Sequence, residues 1–307
     1  MASAQLSQTP ASALLEDMMV ASLAGVGFKR RRLLIHGANG NVPFLGHAIQ
    51  RFVRLGYTVL VHKARGVDRN STSGPPGRQT TRLLASDAQA VVDGVWGDGS
   101  AFHLLGASLG GMVAQELLVY RLVAERLLGV MLLVTGGGQR WRPLPWRRAG
   151  RVRRLVLPQL GFREDDGGKD FDERFSRHID ASYSAAWLDG PAPPLPGSNR
   201  KPPAAATDAA DAATGLAGPP TRRQVVTRLW RNYWQQLAAL IRNSGVRLGV
   251  GVFTTDVFYP EQVQRKLAEA LGAEVHCMGS GHADCLWLDG VGLAAGAALA
   301  VFRDSRV

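Results

Sequence analysis

The chain is short of cysteine, of acidic side chains and of long apolar runs, and each shortage removes a class of protein. Its 307 residues include two cysteines, Cys277 and Cys285, neither in a Cys-x-x-Cys spacing. A disulfide framework is therefore excluded, and a reducing compartment is expected. No apolar run reaches the ~18 residues that a membrane span needs. The longest, Val291 to Phe302, is short and alanine-rich, which suits a packed C-terminal helix. The first 20 residues lack the apolar stretch of a secretory signal. They carry a Ser/Ala bias, but arginine is absent before Arg30. A cytoplasmic location is expected over an organelle transit peptide. Acidic residues number 25 against 36 Lys and Arg, a formal charge of +11. That excess fits an acidic partner or a membrane surface. The abundance of Ala, Gly, Pro and Arg also fits the arginine bias of a GC-rich genome, and that plainer reading is preferred. No nucleic-acid partner is expected.

What is present is ordinary in bulk and specific in places. Apolar residues make up 46% of the chain, a globular value, and the length fits one large α/β domain or two small ones. The most telling stretch is Leu104-Leu105-Gly106-Ala107-Ser108-Leu109-Gly110-Gly111. Ala101 to Leu105 reads as a short buried strand, and Met112 to Arg121 as a helix with an apolar face. So tight a turn holds Ser108 in a strained backbone conformation. It also needs neighbours without bulk at positions −2 and +2, which Gly106 and Gly110 supply. The pattern is Gly-x-Ser-x-Gly, a nucleophile elbow. Taken alone it could equally be a glycine-rich turn with an incidental serine. A phosphate loop fits less well, because there is no Gly-Lys-Ser/Thr ending and no Gly-x-Gly-x-x-Gly with a following acid.

The surrounding chain alternates strand and helix. Arg31–Ile35, Tyr57–Val61 and Leu128–Val134 read as strands, and Phe44–Leu55 and Gln79–Val95 as helices. Ser12–Leu23 reads as a short helix. The strands are apolar on both faces, the pattern of a parallel sheet covered by helices on both sides. The alternation breaks at Gly136. Arg140 to Arg154 holds seven arginines with Trp141 and Trp146, and Gly190 to Pro220 is Pro/Ala/Gly-rich and of low complexity. Phe171–Leu188 reads as a helix. Arg222–Arg242 reads as an amphipathic helix with Val226, Leu229, Trp230, Trp234, Leu237 and Ile241 on one face. Regular alternation then resumes with strands at Val246–Thr254 and Glu274–Met278 and helices at Glu261–Leu271 and Gly290–Phe302. The expected organisation is an N-terminal extension (1–30), a first core part (31–135), a lid or cap insert (136–244) with a loop at 190–220, and a second core part (245–307).

A serine nucleophile needs a base, a carboxylate to orient it and oxyanion donors. Asp256 follows the 246–254 strand, and Gly281-His282 follows the next. In a parallel sheet both lie at the carboxyl edge, with Ser108, where doubly wound sheets bind ligands. Asp284 and Asp289 follow His282 and compete poorly with Asp256. The backbone N–H groups of Ala38, in His36-Gly37-Ala38, and of Leu109 are placed to face one carbonyl oxygen. His36 itself reads as structural. His47, His62, His103, His178 and His276 show no metal-ligand spacing.

These segments, in this order, resemble the α/β-hydrolase fold family. His36-Gly37-Ala38-Asn39-Gly40 is similar to its HGxxG oxyanion loop. Tyr57-Thr58-Val59-Leu60-Val61 with Arg65-Gly66 is similar to its next strand and turn. Gly106 to Gly111 with Met112-Val113-Ala114 resembles the elbow of its esterase and lipase-like branches, and Asp256 with Pro260 and Gly281-His282 resemble its acid and base segments. The resemblance covers about residues 31–135 and 245–303. It implies a serine hydrolase acting on a carboxylic ester or related acyl bond, with Ser108, Asp256 and His282 catalytic and no metal or organic cofactor. Its partner would be a small acyl substrate. Asn39, in the oxyanion loop, and Trp230 and Trp234, on the insert helix, are candidate substrate-binding residues. An acyltransferase using the same three residues, or a ligand-binding protein that retains them with little turnover, are the alternatives. Segment 140–154 reads as a solvated lid surface, with peripheral contact to an anionic membrane as its functional reading. Where the family often has Asp-x-Arg-Gly, this chain has Lys63-Ala64-Arg65-Gly66. The first 30 residues leave little room for antiparallel strands, so that edge of the sheet is expected to be shortened. Cys285 lies close to His282 and is a candidate for oxidation.

Overall fold

The computed structural model describes residues 18–21, 31–35, 45–62, 79–119, 125–137, 226–227, 245–256, 258–279, 281–282 and 288–302. The central strands explain the fold. β5 (Phe102–Ala107), β6 (Leu127–Leu133) and β8 (Arg247–Phe253) are buried along almost their whole length. A strand buried on both faces needs a helix layer on each. Alternate residues serve alternate layers, because side chains switch face at every step. Leu104, Val130, Leu132, Val250 and Val252 pack with Leu84 and Val91, Val113 and Leu117, and Leu267. These come from α2 (Thr81–Trp96), α3 (Leu109–Val119) and α4 (Glu261–Leu271). Leu105, Met131, Leu133 and Phe253 pack on the other side with Ile49 and Phe52, and with Ala298 and Phe302. Those belong to α1 (Gly46–Arg54) and α5 (Leu288–Phe302).

With β1 (Met18–Ala21), β2 (Arg31–Ile35), β3 (Thr58–His62) and β9 (Glu274–Met278), the sheet has seven strands in the order β1-β3-β2-β5-β6-β8-β9. Every pair is parallel except β1 with β3. From β2 the chain runs outward to β3, then returns to pair β5 on the other flank of β2. The gap between β2 and β5 is thus the point where chain direction across the sheet reverses, and in such sheets ligands bind there at the carboxyl ends.

Three expectations are corrected. The helix read over Ser12–Leu23 is, at Met18–Ala21, a strand antiparallel to β3, with Met18 opposite His62 and Ala21 opposite Val59. β3 would otherwise present an edge of unpaired N–H and C=O groups, and that long-range pairing leaves no local signal. The amphipathic helix read over Arg222–Arg242 does not include Val226–Thr227. These form β7, paired in parallel with β4 (Gln79–Thr80). Val and Thr are β-branched and fit an extended partner at little loss. Gln79 and Thr80 are accordingly outside the helix expected to begin at Gln79. The Thr80 hydroxyl accepts from Leu83 N–H at 3.1 Å and caps α2. Apart from Gly136 and Gly137, the rest of the expected insert, including 140–154, 171–188 and 190–220, lies outside the described residues. Among the described residues no helix is long and apolar enough to cross a membrane.

At the opposite edge of the sheet from the strands' carboxyl ends, Arg126 ties the α2–β5 turn to the start of β6. Its guanidinium donates to Gly97 O at 2.8 Å and Ser100 O at 2.9 Å, pairs with Asp93, and lies 5.5 Å from the Phe102 ring centre. Arg126→Met would leave two carbonyls without that donor. The expected loss is about 1–3 kcal/mol, read as a lower urea midpoint at unchanged m-value; an unchanged midpoint would contradict this role.

Candidate active site

Ser108 is the residue after β5 and has φ of 53°, in the left-handed region that side chains avoid. It is held there from both sides. Its N–H donates to Leu133 O at 3.0 Å, and its carbonyl accepts from Gly111 N–H at 3.0 Å and Met112 N–H at 3.3 Å. The carbonyl thereby starts α3, while the side chain is left half-buried above the sheet. The close approach of β5 to α3 requires Gly106. A Cβ there would fall 2.6 Å from Gly110 O and 2.8 Å from Ala114 Cβ. The Leu109 N–H lies in the first turn of α3, where the leading N–H groups have no intrahelical acceptor.

Asp256 follows β8 after the Thr254-Thr255 turn and is 4% exposed. Its Oδ1 accepts the N–H groups of Phe258 at 2.8 Å and Tyr259 at 2.9 Å. Its Oδ2 lies 2.9 Å from His282 Nδ1. The loop is closed by fully buried Gln264. Its Oε1 accepts from Phe253 N–H at 3.0 Å, and its Nε2 donates to Phe253 O at 3.1 Å and to Tyr259 O. Sequence reading missed Gln264, yet a signal was there: it sits on the same helical stripe as Leu267, Ala268 and Leu271, a polar residue in a buried row.

His282 completes the line. Its Nε2 lies 2.9 Å from Ser108 Oγ. An ionised carboxylate only accepts, so Nδ1 carries the proton toward Asp256 and Nε2 is left as acceptor for the serine hydroxyl. The ring is held by Tyr259, stacked at 5.8 Å and 23°, and by Phe258 at 4.8 Å. Three residues from three separate loops at one sheet edge thus form one continuous hydrogen-bonded chain. Ala38, Asn39, Trp230 and Trp234 lie outside the described residues, as does Cys285. Of the other histidines, His103 is buried against Phe302 at 4.4 Å, His62 is buried in β3, and His276 lies 3.6 Å from Glu274. Cys277 is an exposed thiol that accepts from Arg265 at 3.1 Å. Among the described residues no group of three or more His, Cys, Asp or Glu side chains is arranged to hold a metal ion.

The model of the alpha/beta hydrolase family matches residues 33–296. The chain belongs to that family. Membership supports a hydrolase in general terms. Solved structures share the fold at low identity. The enol-lactonase from Burkholderia xenovorans LB400 is 14% identical with a TM-score of 0.62, over 93% of this chain and 94% of that one. The esterase EaEST from Exiguobacterium antarcticum is 15% identical with a TM-score of 0.63, over 94% and 96%. A thermophilic esterase from Thermogutta terrifontis is 18% identical with a TM-score of 0.59, over 91% and 90%. No curated protein matches the sequence.

Gln264→Leu should unpair the backbone groups that close the Asp256 loop. A stability loss of about 1–3 kcal/mol is expected, by thermal or urea unfolding. A variant as stable as the wild type would show that the loop holds without it.

Proposed function

We propose that the protein is a serine hydrolase that cleaves a carboxylic ester, or a related acyl bond, through an acyl-enzyme on Ser108. The observation that carries this reading is the pair of 2.9 Å contacts, Ser108 Oγ to His282 Nε2 and His282 Nδ1 to Asp256 Oδ2. That line provides a nucleophile, a base in reach of its proton, and a carboxylate that fixes the base's tautomer. Family membership and the named neighbours, two esterases and an enol-lactonase, agree with ester chemistry. A lactone is a cyclic ester and is opened by the same attack.

In this reading His282 Nε2 takes the Ser108 proton as Oγ attacks the carbonyl carbon. Asp256 stabilises the imidazolium that forms. General-base assistance of this kind contributes about 10²–10⁴-fold. Charge builds on the carbonyl oxygen, where the Leu109 and Ala38 N–H groups stabilise it, each donor contributing roughly 3 kcal/mol. His282 then returns the proton to the leaving alkoxide, which departs as the alcohol. Water, deprotonated by His282, attacks the acyl carbon; the bond to Ser108 Oγ then breaks, His282 returns the proton to that oxygen, and the acid leaves. Asn39, Trp230 and Trp234 contact the acyl substrate, and Arg140–Arg154 is the segment that would meet an anionic membrane surface. No step calls for a metal or organic cofactor.

A fluorophosphonate probe should label the wild type and leave Ser108→Ala unlabelled. Asp256→Asn should keep the fold and lower kcat by about 10³–10⁴-fold, measured on a series of short-chain p-nitrophenyl esters. A folded wild type that neither labels nor hydrolyses any of these would sink the proposal.

A further inference from the structure

The chain that follows β6 reaches across to Ser108 in a way the hydrolytic steps above do not use. Thr135 is buried, with 1% exposure, and its Oγ1 donates to Ser108 O at 2.9 Å. Val134, just before it, has φ of 42°. A β-branched residue in that region is an outlier, held only where its surroundings over-determine it. This one residue turns the chain out of strand geometry and brings the Thr135 hydroxyl onto the Ser108 carbonyl, just past the end of the neighbouring strand. Thr135 is also braced. Its side chain occupies the space beside Gly111, where a Cβ would come within 2.6 Å. Gln115 Nε2 donates to Gly111 O at 3.1 Å and to Gly136 O at 3.3 Å, fixing the residue that follows. With the bond from Ser108 N–H to Leu133 O, the end of β6 grips the peptide groups on both sides of Ser108.

The carbonyl held by Thr135 belongs to the same peptide plane as the Leu109 N–H. In a trans peptide these two groups point in opposite directions, and the described chain has no cis bonds. The Thr135 hydroxyl approaches that oxygen beside the Gly111 and Met112 N–H groups, and in fixing where the carbonyl points it also fixes where the N–H points. Hydrogen bonds to the carbonyl oxygen polarise the amide and strengthen its N–H as a donor. We propose that Thr135 is a positioning residue for acylation, clamping the Ser108 carbonyl so that the Leu109 N–H is aimed at the developing oxyanion. This rests on the hydrolase reading above.

The test compares Thr135→Val and Thr135→Ala, which remove the hydroxyl, with Thr135→Ser, which keeps it. Two quantities are read. One is the split of kcat and KM on an ester that the wild type hydrolyses. The other is the Ki of an alkyl boronic acid. Boron bonds to Ser108 Oγ, the serine proton passes to His282, and a boron-bound oxygen takes the oxyanion position. Without the hydroxyl, kcat should fall about 10- to 100-fold at nearly unchanged KM, and boronate affinity should fall by a similar factor. Thr135→Ser should recover most of both. If Val at this position prevents folding, Ala carries the comparison. A folded Val or Ala variant with wild-type kcat and boronate affinity overturns the proposal. So does a Ser variant as impaired as Val, which would assign the effect to packing. A wild type that neither labels nor hydrolyses would instead overturn the hydrolase reading itself.

Discussion

The site depends on one close contact between backbones. β5 and α3 approach so tightly at Gly106 and Gly110 that a single added carbon would overlap a carbonyl oxygen. That approach forces the turn, and the turn forces Ser108 into its left-handed conformation. Strain of this kind costs about 1–3 kcal/mol and persists only where neighbours hold it. Here they are the first turn of α3 on one side and the end of β6 on the other. The serine hydroxyl is therefore placed by packing of the sheet and helix rather than by its own rotamer preference. His282 and Asp256 have only to meet a fixed point.

Asp256 and His282 meet that point by a different principle. Asp256 has no strained backbone of its own. Its carboxylate is nearly saturated, with two backbone donors on one oxygen and the imidazole on the other. A buried carboxylate is tolerated only when its acceptor sites are so filled. The same loop supplies Phe258 and Tyr259, whose rings bound the imidazole. One short segment thus both orients and confines the imidazole.

Much of this was legible in the chain. The elbow and the Asp256 loop each follow an apolar strand, Gly281-His282 follows the next strand, and a parallel sheet brings all such loops to one edge. Strand and helix spans in the core matched closely, because double-sided burial gives continuous apolar runs. The expected Leu128–Val134 and Val246–Thr254 lie within one residue of β6 and β8 at each end. What was not legible rests on contacts between segments far apart. Nothing local in Met18–Ala21 announces a strand, since its reason is the open edge of β3. At Val226–Thr227 the β-branched pair is outweighed by the helical spacing around it, and its partner lies far off at Gln79–Thr80. Thr135 looks like any residue after a strand. Its meaning comes from Val134's backbone and from a carbonyl 27 residues earlier.

β6 and β8 are hydrogen-bonded neighbours, with Leu133 opposite Gly251, although the chain between them is more than a hundred residues long. The entropy of closing such a loop grows only with the logarithm of its length, about 0.6 kcal/mol for each doubling. In closure entropy alone, doubling the length between Gly137 and Val226 costs less than one methyl group forced in at Gly106. The scaffold can carry inserts of very different size at this junction and keep the same three side chains in register. Size variation between relatives should collect there, while the turn at Ser108 tolerates none.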